Sequence, residues 1–396
     1  MKRFLALFLF ISIVFSLFGC ANLGDLTEEL FNPAKLKKYN EAIEHIEQKE
    51  YDDAYALFVE IGDFKDVTTY LARFHRMPVG GSEYGIDADG QQVKRYLTVE
   101  LNEQNLPAVI TVTDLEGNLY QSTELTYDSQ NRLSNKIVGG EYRPSKYVYN
   151  YDFNGDLDEI VFTDSFGKVL RYRYDYTDDG QLLYNSCTGS NGIGFSNEYL
   201  YNSDGTLSYE ANYDQNGPFP RVVHYKYNKD GVLTEREIRQ TYEELPDQVC
   251  WTKYTYGENG QLLNATHSYN YTSDTVSVDY TYDADGNIAT IRRTQTNNGI
   301  PEWLYTYSYT YDEQGNITKE IYETSESTTT TRYTYDQYGN ILKGVTDSSN
   351  PAADSSFSVA YKLVYIPFDM TEEEFEERIV NGIFELDDAY PSYPDP

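Results

Sequence analysis

The stretch YDADGNIATI, from Tyr282 to Ile291, decides the fold of this chain. An aspartate at the start of such a stretch, here Asp283, can accept hydrogen bonds from the backbone just ahead of it. A glycine three residues later, here Gly286, tolerates the positive φ that a hairpin loop of about three to five residues requires. The stretch therefore predicts a tight turn between two antiparallel strands.

The same turn recurs along the chain. Related stretches are YDFNGDLDEIV from Tyr151, YDEQGNITKEI from Tyr311 and YDQYGNILKGV from Tyr335. The turn position is held by Asn131, Gly155, Gly180, Gly205, Gly231, Gly260, Gly286, Gly315 and Gly339, and the leading aspartates are Asp128, Asp152, Asp283, Asp312 and Asp336. Asparagine fits at position 131 because it also accepts left-handed geometry. Nine units that span 131 to 339 in eight steps, a mean of 26 residues, indicate a repeat architecture.

A second, variable turn lies midway between these turns, as in TNNGIP at 296–301, so each unit contains two strands. Tyrosines alternate ahead of the first turn, as at Tyr305, Tyr307, Tyr309 and Tyr311, which places them on one face of the sheet. The pattern predicts a mainly β protein with one long antiparallel sheet over 83–366, of about twenty strands, curved or coiled.

A register for each hairpin follows if the tyrosine four residues before the turn glycine pairs with the aliphatic residue two after it. This register predicts Tyr307 opposite Ile321 and Tyr309 opposite Lys319, and likewise Tyr147 opposite Val161. Aromatic–aliphatic pairs of this kind contribute ~0.2–1 kcal/mol each. A lysine on the tyrosine face indicates that this face is partly solvated. Alternatively, the alkyl chain of the lysine lies over a tyrosine ring and its amine reaches water.

These units resemble the tyrosine–aspartate (YD, or RHS-type) repeats, whose motif reads roughly Tyr-Asp-x-x-Gly-Arg/Asn-Leu/Ile. The units from Tyr282, Tyr311 and Tyr335 match it best, and the resemblance covers about two-thirds of the chain. It implies a continuous sheet that coils on itself. Large members of the family enclose a toxin or cargo, and others are surface adhesives or sugar-contacting scaffolds. The protease motif and toxin tail of the large toxins do not occur in this sequence.

The N-terminus is typical of an exported protein. Lys2 and Arg3 precede an apolar run at 4–18 that is too short for a membrane helix, which needs about 20 residues. The run ends in LFGC and resembles the lipobox of bacterial lipoproteins, which implies cleavage after residue 19 and lipidation of Cys20. Residues 20–34 are then a tether to the membrane. The alternative is an ordinary signal peptide with an unrelated cysteine.

Two other segments have helical patterns. Residues 35–76 carry apolar residues at helical spacing and resemble a tetratricopeptide-type hairpin, with helices predicted over 35–48, 52–61 and 64–74. Such repeats need neighbours to bury their faces, so a small cap or docking piece is favoured over a free-standing groove. A C-terminal helix over 370–386, with Phe375 and Ile379 on its apolar stripe, is expected to cover an end of the sheet, and 387–396 is expected to be disordered.

Composition and motifs exclude several classes of function. The net charge of −33 argues against nucleic acid as a partner. No nucleophile, phosphate-loop, cofactor or metal-ligand motif occurs, so we expect neither enzymatic activity nor a cofactor. Acidic turn pairs such as Asp283 and Asp285 could bind calcium, although they are also ordinary turn residues. Cys187 and Cys250 lie five strands apart in a plain meander, about 24 Å, which is too far for a disulfide.

The sequence thus predicts a non-catalytic surface lipoprotein, held to the membrane by its lipid anchor. Its sheet is a binding module for glycans or a protein partner, or alternatively a spacer or assembly scaffold without a small ligand. The solvent exposure of the 41 tyrosines distinguishes the binding module from the scaffold. A contiguous exposed strip of tyrosines favours binding, because these side chains give large rigid contact areas, whereas a buried ladder favours the scaffold.

Overall fold

The structure is a computed structural model of the chain. It describes residues 32–62, 64–86, 92–140, 144–189, 192–214, 220–241, 246–297, 300–349 and 354–371, together with Phe375 and Ile379. The predicted signal peptide, Cys20 and most of the tether lie outside these residues, as does the predicted tail. The described residues form two compact units, the first up to Pro78, at Leu101–Leu106 and from Tyr361 onward, and the second at Val79–Glu100 and Pro107–Ala360.

The first unit contains three helices: α1 (Pro33–Glu47), α2 (Tyr51–Ile61) and α3 (Val67–Leu71). Asn32 caps α1 by accepting a hydrogen bond from the Lys35 amide at 3.2 Å, and Pro33 occupies the first helical position, which needs no donor. Gly62 follows α2 with a φ of 65°. None of the helices among the described residues is long and apolar enough to span a membrane.

Aromatic side chains form the core of this unit. Phe58 of α2 is fully buried and stacks on Tyr70 with ring centroids 5.0 Å apart, while Phe74 packs edge-on against Tyr365. Of the predicted C-terminal helix, only Met370, Thr371, Phe375 and Ile379 are described. Phe375 is buried and stacks on His75 at 4.3 Å, and the rest of that predicted element lies outside the described residues.

Strands make up the second unit and extend into the first. They are β1 (Phe74–Ile86), β2 (Gln92–Leu101), β3 (Pro107–Thr113), β4 (Leu119–Tyr127), β5 (Leu133–Gly140), β6 (Ser145–Tyr151), β7 (Leu157–Thr163), β8 (Val169–Tyr176), β9 (Leu182–Gly189), β10 (Gly192–Tyr201), β11 (Leu207–Asp214), β12 (Arg221–Tyr227), β13 (Leu233–Gln240), β14 (Gln248–Tyr256), β15 (Leu262–Tyr269), β16 (Thr275–Tyr282), β17 (Ile288–Asn297), β18 (Ile300–Tyr311), β19 (Ile317–Thr324), β20 (Thr328–Tyr335), β21 (Ile341–Ser348) and β22 (Ser355–Tyr365). From β3 onward, each repeat supplies two of them.

The sheet is closed. Each strand pairs with the next along the chain, and β1 also pairs with β22, so the 22 strands form one continuous ring. At this junction the hydroxyls of Ser82 and Ser358 lie 2.9 Å apart. The predicted open, curved or coiled sheet with a C-terminal capping helix is therefore wrong. The right-handed twist of successive hairpins brings the first strand back to the last, and pairing them removes the edges that a cap would have covered.

The register differs from the predicted one because of a β-bulge beside each repeat turn. In the hairpin of β18 and β19, Tyr311 pairs with Ile317, but the register shifts between Thr310 and Tyr311. The observed partners are Tyr322 for Tyr307, Glu320 for Tyr309 and Phe162 for Tyr147. The predicted partners Ile321, Lys319 and Val161 lie one residue away. One extra residue in a strand transfers every later side chain to the opposite face.

The two faces of the sheet differ in exposure. One face carries the alternating tyrosines, such as Tyr307 and Tyr309, which are half-buried along all of β18. The other carries exposed polar residues, such as Thr310, Asp279 and Arg292. Side chains of a closed sheet alternate between inside and outside, so the less accessible tyrosine face is the inner face and the other is the outer face.

Candidate functional site

The repeat turns that begin with aspartate are held by the side chain of that residue. In the turn at 283–287, Asp283 Oδ1 accepts hydrogen bonds from the amides of Asp285 at 3.0 Å and Asn287 at 2.9 Å. Gly286 has a φ of 93°. In the next repeat turn, the Asn316 side-chain amide donates to Asp312 and holds the pKa of that carboxyl below its ordinary value. These aspartates use their oxygens within the turn, as turn-forming residues do.

The other turn positions named from the sequence have the same backbone geometry. Positive φ angles occur at Asn131, Gly155, Gly180, Gly205, Gly231, Gly260, Gly315 and Gly339. Asp128, Asp152 and Asp336 also accept hydrogen bonds from amides two and four residues ahead. The structure therefore places these residues in nine separate turns and does not gather them into one site.

A ladder of tyrosine hydroxyls joins successive repeats. In eight of the nine repeat turns, the tyrosine before the turn donates to the backbone carbonyl of the residue that begins the preceding odd-numbered strand, as in Tyr282 to Leu262 at 2.8 Å. The other such pairs are Tyr127 to Pro107, Tyr151 to Leu133, Tyr201 to Leu182, Tyr227 to Leu207, Tyr256 to Leu233, Tyr311 to Ile288 and Tyr335 to Ile317, at 2.7–2.9 Å. We call these eight residues the tyrosine ladder.

The ladder residues are half-buried, and burial raises the pKa of three of them in the C-terminal half of the sheet. Desolvation raises the pKa of Tyr256, Tyr311 and Tyr335 above the ordinary value, because the charged phenolate is poorly solvated there. Tyr309, on the same inner face, has its pKa raised to about 12 by burial and by the nearby Glu320. These hydroxyls therefore remain protonated donors at neutral pH.

Large apolar side chains are exposed at several turn tips. Phe153 in a repeat turn is 96 % exposed, and Phe166 in a second turn is 88 % exposed. Tyr338 and Leu115 are also exposed at turns. These side chains have been left in water although a polar residue would satisfy the turn equally well, so they are candidates for contact with another molecule.

Two other sets of side chains could in principle bind a metal or react: a histidine–carboxylate cluster on the helices and two cysteine thiols in the sheet. His45, Glu50 and Asp53 place ligand atoms within 4.8 Å of one another, but the two carboxylates are exposed and the histidine already bonds Glu50. Cys187 and Cys250 are free thiols on β9 and β14, and burial raises the pKa of both. A raised thiol pKa lowers the reactive thiolate fraction.

The sequence analysis predicted neither the tyrosine ladder nor the two arginines that lie on the inner face of the sheet. Arg236 and Arg293 lie on the inner face, where each has an Nε atom that is buried without a hydrogen-bond partner among the described residues. Their position is hidden in the sequence because the bulge reverses which residues after a turn face inward. The sequence does contain a signal for the ladder, because a tyrosine precedes every repeat turn. A tyrosine hydroxyl that is buried usually finds a hydrogen-bond partner, so a repeated bond could have been predicted.

The fold is one closed sheet built from tandem two-strand units that share the same turn geometry. Residues 311–352 match the RHS Repeat family model, which confirms the YD, RHS-type, prediction for that segment. No curated protein matches the chain.

Two solved structures show a weak likeness. The crystal structure of TcdB2-TccC3-Cdc42 is 14 % identical, with a TM-score of 0.39; the match covers 73 % of this chain and 18 % of that one. This chain thus spans less than a fifth of that relative. A porin-like protein from Bacteroides uniformis ATCC 8492 is 12 % identical, with a TM-score of 0.27, and the match covers 74 % of this chain and 97 % of that one.

Proposed function

We propose that the protein is an exported lipoprotein, anchored through Cys20, whose closed sheet of YD repeats is a rigid scaffold at the outer surface of a bacterial membrane. The tyrosine ladder is the observation that carries the scaffold part of this proposal, and the N-terminal sequence carries the anchor. Its hydroxyls bond neighbouring repeats, so the repeat tyrosines are used in holding the sheet together and do not form a contiguous exposed strip. The RHS Repeat match at residues 311–352 supports a repeat module.

The charge of the chain and the charged outer face suit an extracellular scaffold. The chain carries a net charge of −33, and charged side chains such as Asp279 and Arg292 lie on the outer face. A strongly charged exterior keeps a protein soluble and discourages association with other anionic surfaces. A closed sheet also presents no unpaired edge to neighbouring proteins.

Replacing Cys20 by serine is expected to release the protein from membranes, because the only proposed attachment is the acyl chains on that residue. Multiple acyl chains anchor a protein stably, whereas one chain binds only marginally. Fractionation of expressing cells after labelling with an alkyne fatty acid measures both attachment and lipidation. Cys187→Ser is the matched control, since Cys187 is a buried thiol on β9, and it should stay labelled and membrane-bound. A Cys20→Ser protein that still sediments with membranes would refute the anchor.

A binding module for glycans or a protein partner is the second candidate, favoured by the exposed turn-tip aromatics. If Phe153 and Phe166 contact a ligand, the double change Phe153→Ser and Phe166→Ser should remove binding of the mature protein on a glycan array or to cell-surface extracts, with loss of at least tenfold in affinity, about 1.4 kcal/mol. Val232→Ser, at a partly exposed turn position, is the control for simple loss of apolar surface. Equal binding by the double variant and the parent would remove this candidate.

A further inference from the structure

The inner face carries a group of cations that lacks anionic partners. Arg236 on β13 and Arg293 on β17 each have a buried Nε atom without a hydrogen-bond partner, and no carboxylate of the described residues forms an ion pair with either. The guanidinium of Arg236 lies 6.0 Å from the ring centroid of Tyr225, and that of Arg293 lies 5.8 Å from the ring centroid of Tyr305. Burying an unpaired cation costs free energy unless another group compensates for it.

The register brings these two arginines towards one histidine. Arg236 pairs with Thr252, and Thr252 pairs with His267, so the three residues form one row across β13, β14 and β15. His267 pairs in turn with Val276 on β16, and Arg293 pairs with Val278 two residues along that strand. At ~4.8 Å per strand, each arginine backbone lies about 10–12 Å from that of His267, a separation that two long side chains can close.

The electrostatics of His267 reflect this arrangement. Burial, then Arg293 and Arg236, lower the pKa of His267, so its ring is neutral at pH 7. Its Nδ1 lies 2.9 Å from the hydroxyl of the buried Thr252. The charged and titratable groups that face it on the inner face are Arg236 from β13, Cys250 and Tyr254 from β14, Tyr280 from β16 and Arg293 from β17.

Nearby carboxylates are directed elsewhere. Glu237 neighbours Arg236 in sequence but lies on the outer face, where it bonds Trp251 and Arg239. Asp279 is also on the outer face, opposite Arg292. On the inner face, Glu210 of β11 accepts a hydrogen bond from Tyr225 at 3.0 Å. Glu210 shares Tyr225 with Arg236 but forms no ion pair with it, and none of the described carboxylates forms an ion pair with Arg293, so the two arginines leave a local positive field between them.

We propose that Arg236, Thr252, His267 and Arg293 bind an oxyanion, that is, the phosphate, sulfate or carboxylate group of a small solute, on the inner face of the sheet. Guanidinium groups bind oxyanions through paired, charge-assisted hydrogen bonds, and the Tyr225 and Tyr305 rings hold the two guanidiniums in place. The oxyanion supplies the negative charge that these two half-buried cations lack. This site is independent of the scaffold proposal, which rests on the ladder.

Isothermal titration calorimetry with two probes tests the site. The comparison shows whether the site prefers a free inorganic ion or the phosphate group of a sugar. Inorganic phosphate is the first probe and glucose 6-phosphate the second, with glucose as the uncharged comparison. Arg236→Gln and Arg293→Gln should each lower phosphate affinity about 10- to 100-fold, the effect of losing one charged hydrogen-bond partner. The matched control is Arg292→Gln, which removes the same charge one residue away but on the exposed outer face. It should bind like the parent.

The titration of His267, followed by NMR, distinguishes a bound anion from a purely structural role for the arginines. Saturating phosphate should raise the pKa of His267 in the parent, because an adjacent anion favours the protonated ring. Arg293→Gln should raise that pKa without phosphate and weaken its response at the phosphate concentration that saturates the parent. The proposal is overturned if phosphate and glucose 6-phosphate do not bind the parent, or if Arg292→Gln and Arg293→Gln weaken binding equally.

Discussion

Gly81→Ala is expected to open the closed sheet. A Cβ atom at Gly81 would overlap the backbone carbonyl oxygen of Ser358, and a backbone atom cannot rotate away as a side chain can. The two residues belong to β1 and β22, the pair that closes the ring. We expect the free energy of unfolding to fall by about 3 kcal/mol, at the upper end of the range for overpacked sites, because separating these strands also sacrifices their mutual hydrogen bonds.

Denaturant unfolding and size-exclusion chromatography measure this effect. Opened β1 and β22 present unpaired strand edges, so the variant should also associate into dimers or larger species. Gly85→Ala is the matched control on the same strand, because a Cβ atom there meets no described atom within 4 Å. If both variants unfold at the same denaturant concentration and both remain monodisperse, the ring is not closed through this contact.

Removing the hydroxyls of four consecutive ladder residues is expected to have a similarly large effect. The variant Tyr256→Phe, Tyr282→Phe, Tyr311→Phe and Tyr335→Phe keeps the rings but loses four hydrogen bonds to backbone carbonyls. Each loss should cost about 0.5–1.5 kcal/mol, so the free energy of unfolding should fall by about 2–6 kcal/mol. Tyr271→Phe is the control, since that ring is 57 % exposed and lies outside the ladder. It should change stability by less than about 0.5 kcal/mol.

The pH dependence of stability is an independent readout of the same variant. The folded sheet raises the pKa of Tyr256, Tyr311 and Tyr335 above the ordinary 10.0, so it favours their neutral form. That stabilisation is fully present below about pH 10 and is lost as the pH rises through the folded-state values. The parent should therefore lose stability steeply above about pH 10, and the four-phenylalanine variant less steeply. Identical alkaline slopes would mean that the ladder hydroxyls do not contribute.

The sequence predicts the repeat and its turn chemistry well, because both depend on short-range physics. Asp283 and Gly286 act within five residues of each other, and the alternation of Tyr307 and Tyr309 reflects the two-residue period of a strand. Closure is different, since it depends on small twists summed over all 22 strands. No local pattern near Ser82 or Ser358 encodes their meeting.

The inner cations show why the site was harder to predict than the fold. Counting from Tyr282 in steps of two through the turn assigns Arg292 to the tyrosine face. The bulge between Thr281 and Tyr282 adds one step, and Arg293 faces inward instead. A single extra residue therefore exchanges an exposed arginine for a half-buried one, and only the backbone register reveals which of the two adjacent arginines faces inward.

Closure has a consequence for how this gene can change. In an open array a unit can be gained or lost at an end while the remaining units keep their neighbours. Here β1 and β22 pair, so each added or deleted unit must change the circumference by two strands, about 10 Å, and every hairpin must adjust its twist to match. Unequal recombination between these similar coding segments should consequently be penalised, and the copy number of repeats should drift far less than the sequences of the individual copies.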